Sequence, residues 1–405
     1  MSPQKNGGIR LSGTNLVRAA DHNQRITLHA IRVNGALTRV ELARITGLTT
    51  PTIANISRRL LADGLIEEAG QRRGGRGQPP TDLTINPDAC YTVGVNIDRD
   101  HITVVLVDFV GRTRARVSCE IAFALPGDVS ALYQASIIQM LRQAGVDPAR
   151  LLGIGVALPD DLGRVELPGR PAAYSEWNDV DMAALFASPF DLPVFVENDA
   201  AAAAMGELQL GHGQRHPNFF YILISWALGG GVVIDGAYRR GAQGRSGELG
   251  FMTCDVGGGR REQVQAHVSL SGLSQWLKAA DVSLASVLAS SDSETVAPLV
   301  DRWIDDAVEK LSEPMTAVNC LINPAVILVG GRLPRALVDR FASRLNAVMR
   351  ERPTPAPTTA PVIRAALSED APAVGAAILP LSHFLLPRRA ALWTEATPVE
   401  EPAES

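Results

Sequence analysis

Two stretches of the chain carry the same parts in the same order. Tyr91-Thr-Val-Gly-Val-Asn-Ile-Asp-Arg-Asp-His-Ile-Thr-Val-Val-Leu-Val-Asp108 is an apolar run, a polar turn and a second apolar run. Phe220-Tyr-Ile-Leu-Ile-Ser-Trp-Ala-Leu-Gly-Gly-Gly-Val-Val-Ile-Asp235 repeats that order. A strand hairpin written twice predicts two similar lobes facing one cleft. Around the copies, residues 151–158 and 193–196 read as buried strands, whereas 130–144 and 298–321 have helical periodicity. The body is therefore expected to be α/β.

Residues 195–207, Phe-Val-Glu-Asn-Asp-Ala-Ala-Ala-Ala-Ala-Met-Gly-Glu, set three polar side chains between a short apolar strand and an alanine-rich helix. Strand ends in α/β folds open onto crevices, and a helix N-terminus offers unpaired N–H groups. Glu197, Asn198 and Asp199 are thus candidates to grip ligand hydroxyls. Asn198 or Asp199 acting only as a helix cap is the competing reading, and the local sequence alone favours it.

A length of 405 residues with 46% hydrophobic and 5% aromatic content suits a soluble protein of two to three domains. No apolar run reaches the roughly 18 residues of a membrane helix, and the N-terminus has no signal-peptide core. The expectation is a cytoplasmic protein with no membrane partner. Cys90, Cys119, Cys254 and Cys320 form no Cys-x-x-Cys pair, which argues against a disulfide framework and a cysteine zinc site. The net charge of -5 conceals an asymmetry: residues 1–88 hold 12 Lys+Arg against 7 Asp+Glu, and the remainder 26 against 36. A basic head on an acidic body suggests that the head meets a polyanion.

Within the head, residues 23–33 read as a helix with Ile26, His29 or Ala30, and Val33 on one face. Thr38 and Glu41 have capping-box spacing, with Leu37 and Leu42 at the positions of a hydrophobic staple. Gly47 suits the end of that helix, and Thr50-Pro51 restarts the chain with a cap and a first-turn proline. The helix over 51–63 places Ile53, Ile56 and Leu60 on a core stripe. Thr52, Asn55 and Arg59 fall on a neighbouring face with Arg58 beside them. Such a face suits the major groove, where Asn reads adenine and Arg guanine. A helical hairpin with solvated arginines is the alternative. Residues 65–69 and 81–85 then read as two strands joined by a Gly/Arg loop, a basic wing whose Arg72, Arg73 and Arg76 could enter a minor groove. That loop lacks the Gly-Lys-Ser/Thr ending of a P-loop. Helix, turn, helix and wing together favour DNA binding, with Thr50, Thr52, Asn55, Arg58 and Arg59 as candidate contacts.

At this point the residues resemble the ROK family of repressors, open reading frames and sugar kinases, over about residues 15 to 385. The resemblance rests on the winged head, Gly153-Ile-Gly-Val-Ala-Leu-Pro159, Glu197-Asn-Asp199 and Gly229-Gly-Gly231. It continues through Gly241-x-x-Gly-x-x-Gly-Glu-Leu-Gly250 and Asn323-Pro-Ala-Val-Ile-Leu-Val-Gly-Gly331. It implies a two-lobed actin-like or hexokinase-like body behind an N-terminal winged helix-turn-helix, with sugar between the lobes. The expected divisions are a DNA-binding head over 1–88, a first lobe over 89–198 to which a C-terminal helix of about 370–388 returns, a second lobe over 199–369, and a flexible tail over 389–405.

Kinases of the family carry an Asp-x-Gly-Gly-Thr-Lys type hairpin around the ATP phosphates, matched here by Asn96-Ile-Asp-Arg-Asp-His101. Asp98 and Asp100 beside a polyphosphate would repel it, with Arg99 as a partial offset. Their second phosphate motif, Gly-Thr-Gly-Ile-Gly, is matched by Ser225-Trp-Ala-Leu-Gly229, where Trp226 replaces a small hydroxyl residue. Phosphoryl transfer depends on positioning and charge stabilisation of the phosphates, so the reading is a non-kinase without a catalytic residue. Gly330-Gly331, at the expected adenosine side, is explained by a tight turn. By resemblance Asn198, Asp199 and Glu248 match sugar-binding positions, Asp199 matches the kinase base, and Gln265 stands for a family Glu. Phe251 replaces the family's His, and the cysteines of its zinc site are missing, so no metal and no cofactor are expected. The combined expectation is a sugar-responsive repressor, bound to operator DNA as a homodimer or homotetramer. The rival is a DNA-tethered sugar kinase.

Overall fold

The computed structural model describes residues 16–71, 80–164, 170–289, 296–351 and 358–387. The chain divides into two compact units. Among the described residues, one comprises 16–86 with 385–387, and the other lies within 87–384.

In the first unit, α1 (Leu16–Asn34), α2 (Arg39–Thr46) and α3 (Thr50–Ala62) precede an antiparallel pair, β1 (Ile66–Gln71) and β2 (Thr81–Ile85). The capping box forms: the Thr38 hydroxyl accepts from Glu41 N–H at 3.3 Å, and the Glu41 carboxylate accepts from Thr38 N–H at 2.8 Å. Gly47 closes α2 in the left-handed region at φ 70°. Leu37 and Leu83 exchange backbone hydrogen bonds of 2.9 and 3.0 Å, so the residue before α2 also joins the wing strands. Two readings need correcting. Thr49, not Thr50, caps α3, its hydroxyl accepting from Thr52 N–H at 3.4 Å. The first helix turns Thr27, Leu28, Ala30 and Ile31 inward and leaves Val33 40% exposed, a core face rotated from the one expected. Arg25 donates from Nη1 to the Leu386 carbonyl at 3.1 Å within this unit.

The second unit contains, among the described residues, two five-stranded sheets of one topology. The first runs in the order β5 (Thr113–Glu120), β4 (His101–Asp108), β3 (Tyr91–Ile97), β6 (Leu151–Leu158), β7 (Val194–Asn198). After α6 (Asp199–Leu210), the second repeats it with β8 (Phe219–Ile224) to β10: β10 (Ala237–Tyr238), β9 (Leu228–Ile234), β8, β13 (Val326–Gly331), β14 (Val362–Arg364). In each, an antiparallel hairpin starts the sheet and two parallel strands extend its other side. The duplication read in the hairpins thus extends to whole sheets.

α4 (Pro126–Ala144) packs against β4 and β5, with α5 (Met182–Phe186) beside it, and α11 (Ala371–Phe384) packs on β3, β4 and β6. β3 and β4 are buried along their whole length, as strands covered on both faces must be. β7 departs from the buried strand expected: it is the sheet edge, and Val196 is 46% exposed. In the second lobe, α6 covers one sheet face with its alanines against Phe219, Tyr221 and Leu223. A larger core on the other face includes residues of α7 (Leu270–Lys278), α8 (Leu284–Ala289), α9 (Ala297–Ile322) and α10 (Arg335–Glu351). A small hairpin, β11 (Thr253–Asp255) with β12 (Arg261–Gln263), lies before α7.

The two lobes meet where α6 crosses α11. A Cβ on Gly375 would lie 1.8 Å from the Ala202 carbonyl oxygen, and one on Gly206 would lie 3.1 Å from Gly375 Cα. One backbone rests on the other there, which only glycine permits. Among the described residues no helix is long and apolar enough to cross a membrane.

Candidate ligand cleft and nucleic-acid interface

Strand β7 delivers the junction, and the change from strand to helix between Asn198 and Asp199 decides where each side chain goes. Asn198 is the cap of α6: its Oδ1 accepts from Ala200 and Ala201 N–H at 3.0 and 3.1 Å. The capping reading is therefore correct for Asn198, and its carbonyl oxygen is spent. Its amide group and Asp160 line the same cleft. Asp199 begins the helix, is 7% exposed, and accepts from Ala200 N–H at 2.8 Å. Burial, reinforced by the charge of Asp98 and opposed by that of Arg99, pushes its carboxyl up to about 7.

Asp199, Asn198, Glu248 and Gln265 line one cleft of about 440 Å³. Glu197 is not with them. It faces an adjoining cavity, with its carboxylate paired to Arg240 and bonded to its neighbour's N–H at 3.1 Å. Asp160 takes the place that Glu197 leaves, at the end of β6, and its carboxyl is raised by burial and by Glu248. Sequence reasoning missed Asp160, although Pro159-Asp160-Asp161 follows the strand parallel to β7 and so ends beside Asn198. Glu248 accepts from Arg245 Nε at 2.8 Å, and Arg245 Nη1 also reaches Asp161 at 2.6 Å. The Gln265 amide donates to Gln263 Oε1 at 2.7 Å.

Cross-lobe contacts of the protein's own side chains occupy the side of the cleft at the β3–β4 turn. Asp98 is buried, accepts from Arg99 N–H at 2.7 Å, and lies 3.5 Å from the Trp226 backbone nitrogen in the other lobe. Arg332, immediately after β13, pairs with both Asp100 and Glu120 of the first lobe. Asp98, Asp100 and His101 bring possible ligand atoms within 4.8 Å of one another. Both His101 ring nitrogens are already engaged, with Asn96 at 3.2 Å and Asp100 at 2.8 Å, and Arg332 holds the other Asp100 oxygen. Gly330 and Gly331 extend the β13 ladder instead of forming a free turn. A Cβ on either would fall 2.0 Å from Tyr221 Oη or the Ile224 carbonyl, so sheet packing accounts for them.

On the head, Asn55, Arg58 and Arg59 are exposed on α3, and Arg58 Nη1 donates to Asn55 Oδ1 at 3.2 Å. The Thr52 hydroxyl is 2.9 Å from that of Thr49, and Thr50 is the first residue of the helix. Arg72, Arg73 and Arg76 lie outside the described residues.

A family model described as ROK family matches residues 92–382, and one described as winged helix-turn-helix DNA-binding matches residues 21–67. The chain is 27% identical over 380 residues to the xylose repressor of Bacillus subtilis, covering 90% of this chain and 96% of that one. It is also 27% identical over 224 residues to a glucokinase of Thermotoga maritima, covering 50% and 71%. A crystal structure of a ROK family transcriptional regulator, a homologue of the Escherichia coli Mlc protein, matches with a TM-score of 0.68 at 22% identity. That match covers 90% of this chain and 97% of the other.

Proposed function

The chain belongs to the ROK family, and we propose that it is a sugar-responsive, DNA-binding repressor whose kinase-like body senses without catalysing. One observation carries the sensing half. The acid-lined cleft is open as far as Arg99 and Ser225–Gly229, whereas the β3–β4 turn matching the family's first phosphate hairpin is bridged to the other lobe by Arg332 through Asp100, with Glu120 on the same arginine and Asp98 set against Trp226 N–H. A nucleotide would have to break those contacts and then face two carboxylates, a cost that sugar hydroxyls do not meet. Asp199 and Asp160 accept the ligand's hydroxyls, the Asn198 amide donates, and Glu248 and Gln265 complete the grip. Asp199 occupies the position of the family's base, but without ATP it only binds.

The winged head and the relatives named repressors support operator binding. Asn55, Arg58 and Arg59 read the major groove, and the wing arginines Arg72, Arg73 and Arg76 add minor-groove contacts. As a homodimer or homotetramer, the protein would recognise inverted half-sites spaced by multiples of about 10 base pairs. Sugar changes operator affinity provided that it binds two arrangements of the protein unequally.

The kinase reading keeps one specific support, the retained Asp199 in a family that includes glucokinases. Incubation with ATP, Mg²⁺ and a sugar panel separates the two. The sensor gives no sugar phosphate, while a sugar that raises the melting temperature loses that effect in Asp199→Ala. ATP-dependent phosphorylation abolished by Asp199→Asn would overturn the sensor reading.

A further inference from the structure

The cleft is longer than one sugar ring needs. Helix α7 buries Leu270, Gly272, Leu273 and Leu277 in its lobe and turns Ser271, Ser274, Gln275 and Lys278 into the cleft. Those four residues fall at i, i+3, i+4 and i+7, one continuous helical face. At 1.5 Å per residue the stripe runs for about 10 Å, the length of roughly two pyranose rings in series. Asp160, Asn198 and Asp199, which would take the first ring, come instead from the strand ends and from α6.

The wall shared with α7 has a different chemistry from the acid wall. Trp226 and Phe251 supply ring faces, Phe251 being 50% exposed, and Gln263 and Gln265 stand beside them. Because Gln265 donates to Gln263, the Gln263 amide hydrogens and the Gln265 carbonyl remain for a ligand. Aromatic faces cover the C–H side of a sugar, and amides and hydroxyls pair with its edge. The ionisable groups of the cleft balance, Asp160, Asp199 and Glu248 against Arg99, Arg245 and Lys278, and Arg245 is already held by Glu248 and Asp161. That balance leaves no surplus of positive charge for an anionic ligand.

We infer that the ligand is a neutral disaccharide, one ring held by Asp199, Asp160 and Asn198 and the second lying along α7 against Phe251 and Trp226. The inference rests on the sensor reading and narrows it.

Calorimetry on the full chain with matched sugars tests it: glucose against maltose and cellobiose, xylose against xylobiose, and galactose against lactose. At least one disaccharide binds about 10-fold tighter than its monosaccharide. Phe251→Ala and Gln275→Ala, both at exposed positions, remove most of that advantage and leave monosaccharide affinity unchanged. Monosaccharides binding as tightly as every disaccharide, or variants that weaken both classes equally, would overturn the second ring while leaving the sensor intact. A gain equally large for p-nitrophenyl glucoside and insensitive to Gln275→Ala would also overturn it, in favour of an apolar aglycone. If none of these sugars binds and ATP-dependent phosphorylation appears, the sensor reading fails as well.

Discussion

Asp199 carries two demands at once, since it opens a helix and borders a cleft while being shut away from bulk water. Its carboxyl is raised to about 7, so the folded protein holds a proton there that the unfolded chain releases near pH 4. Stability is therefore lost as pH rises from about 4 to about 7, and the penalty stays constant above that. Asp199→Asn removes the ionisable group. It should raise the melting temperature by a few degrees at pH 8 and give no gain at pH 4, as scanning calorimetry across pH would show. A gain independent of pH would mean that Asp199 is already ionised in the fold. The type of residue at this junction was legible in the sequence, but its division of labour was not. The strand ends at Asn198 and the helix begins at Asp199, so Glu197 and Asp199 part where strand geometry alone would align them; capping consumes the Asn198 carbonyl, and Asn198 and Asp199 line the cleft without Glu197. Asp160 reaches the cleft through strand pairing between residues far apart in the chain, which no local pattern displays.

At the scale of single elements, caps and glycines make the sharpest predictions. Thr49→Ala should cost about 1 kcal/mol in urea unfolding of the head, and Thr50→Ala much less, because the hydroxyl bond to Thr52 N–H belongs to Thr49. Equal losses would contradict the assigned cap. Gly155→Ala would push a methyl group to 1.8 Å from the Ala376 carbonyl oxygen of α11, so a loss of about 1–3 kcal/mol or more is expected in equilibrium unfolding. On α3, Arg59→Ala should alter site preference, and its effect on a randomised operator pool would separate base readout from phosphate contact. Elements marked by their own chemistry, such as α2 with its capping box, were readable in advance. The inward face of α1 was not, because Thr27 serves the core there by bonding its hydroxyl to the Asn23 carbonyl at 2.8 Å, which a purely apolar period does not register.

Over the whole molecule, the duplicated hairpin was the most informative pattern, since each copy seeded a sheet with the same strand order. The sequence pattern could not reveal what now joins the lobes on the phosphate side. Arg332 makes that link, and replacing it with Met would leave Asp100 and Glu120 without their cross-lobe partner. Leaving the largely buried Asp100 without that arginine should cost about 1–3 kcal/mol, with little added by the exposed Glu120, and increase proteolysis between the lobes. Unchanged stability would show that the bridge forms without holding the lobes together. The crossing of α6 and α11 has a different mechanical character. At Gly206, Ala202 and Gly375 there is no layer of side chains between the two backbones to rearrange under load. A displacement of Asp199 along the axis of α6 would then press directly on α11, the last described element of the body. Asp199 and the far end of α11 would then move as two points on one stiff lever, with its fulcrum built from the smallest residues available.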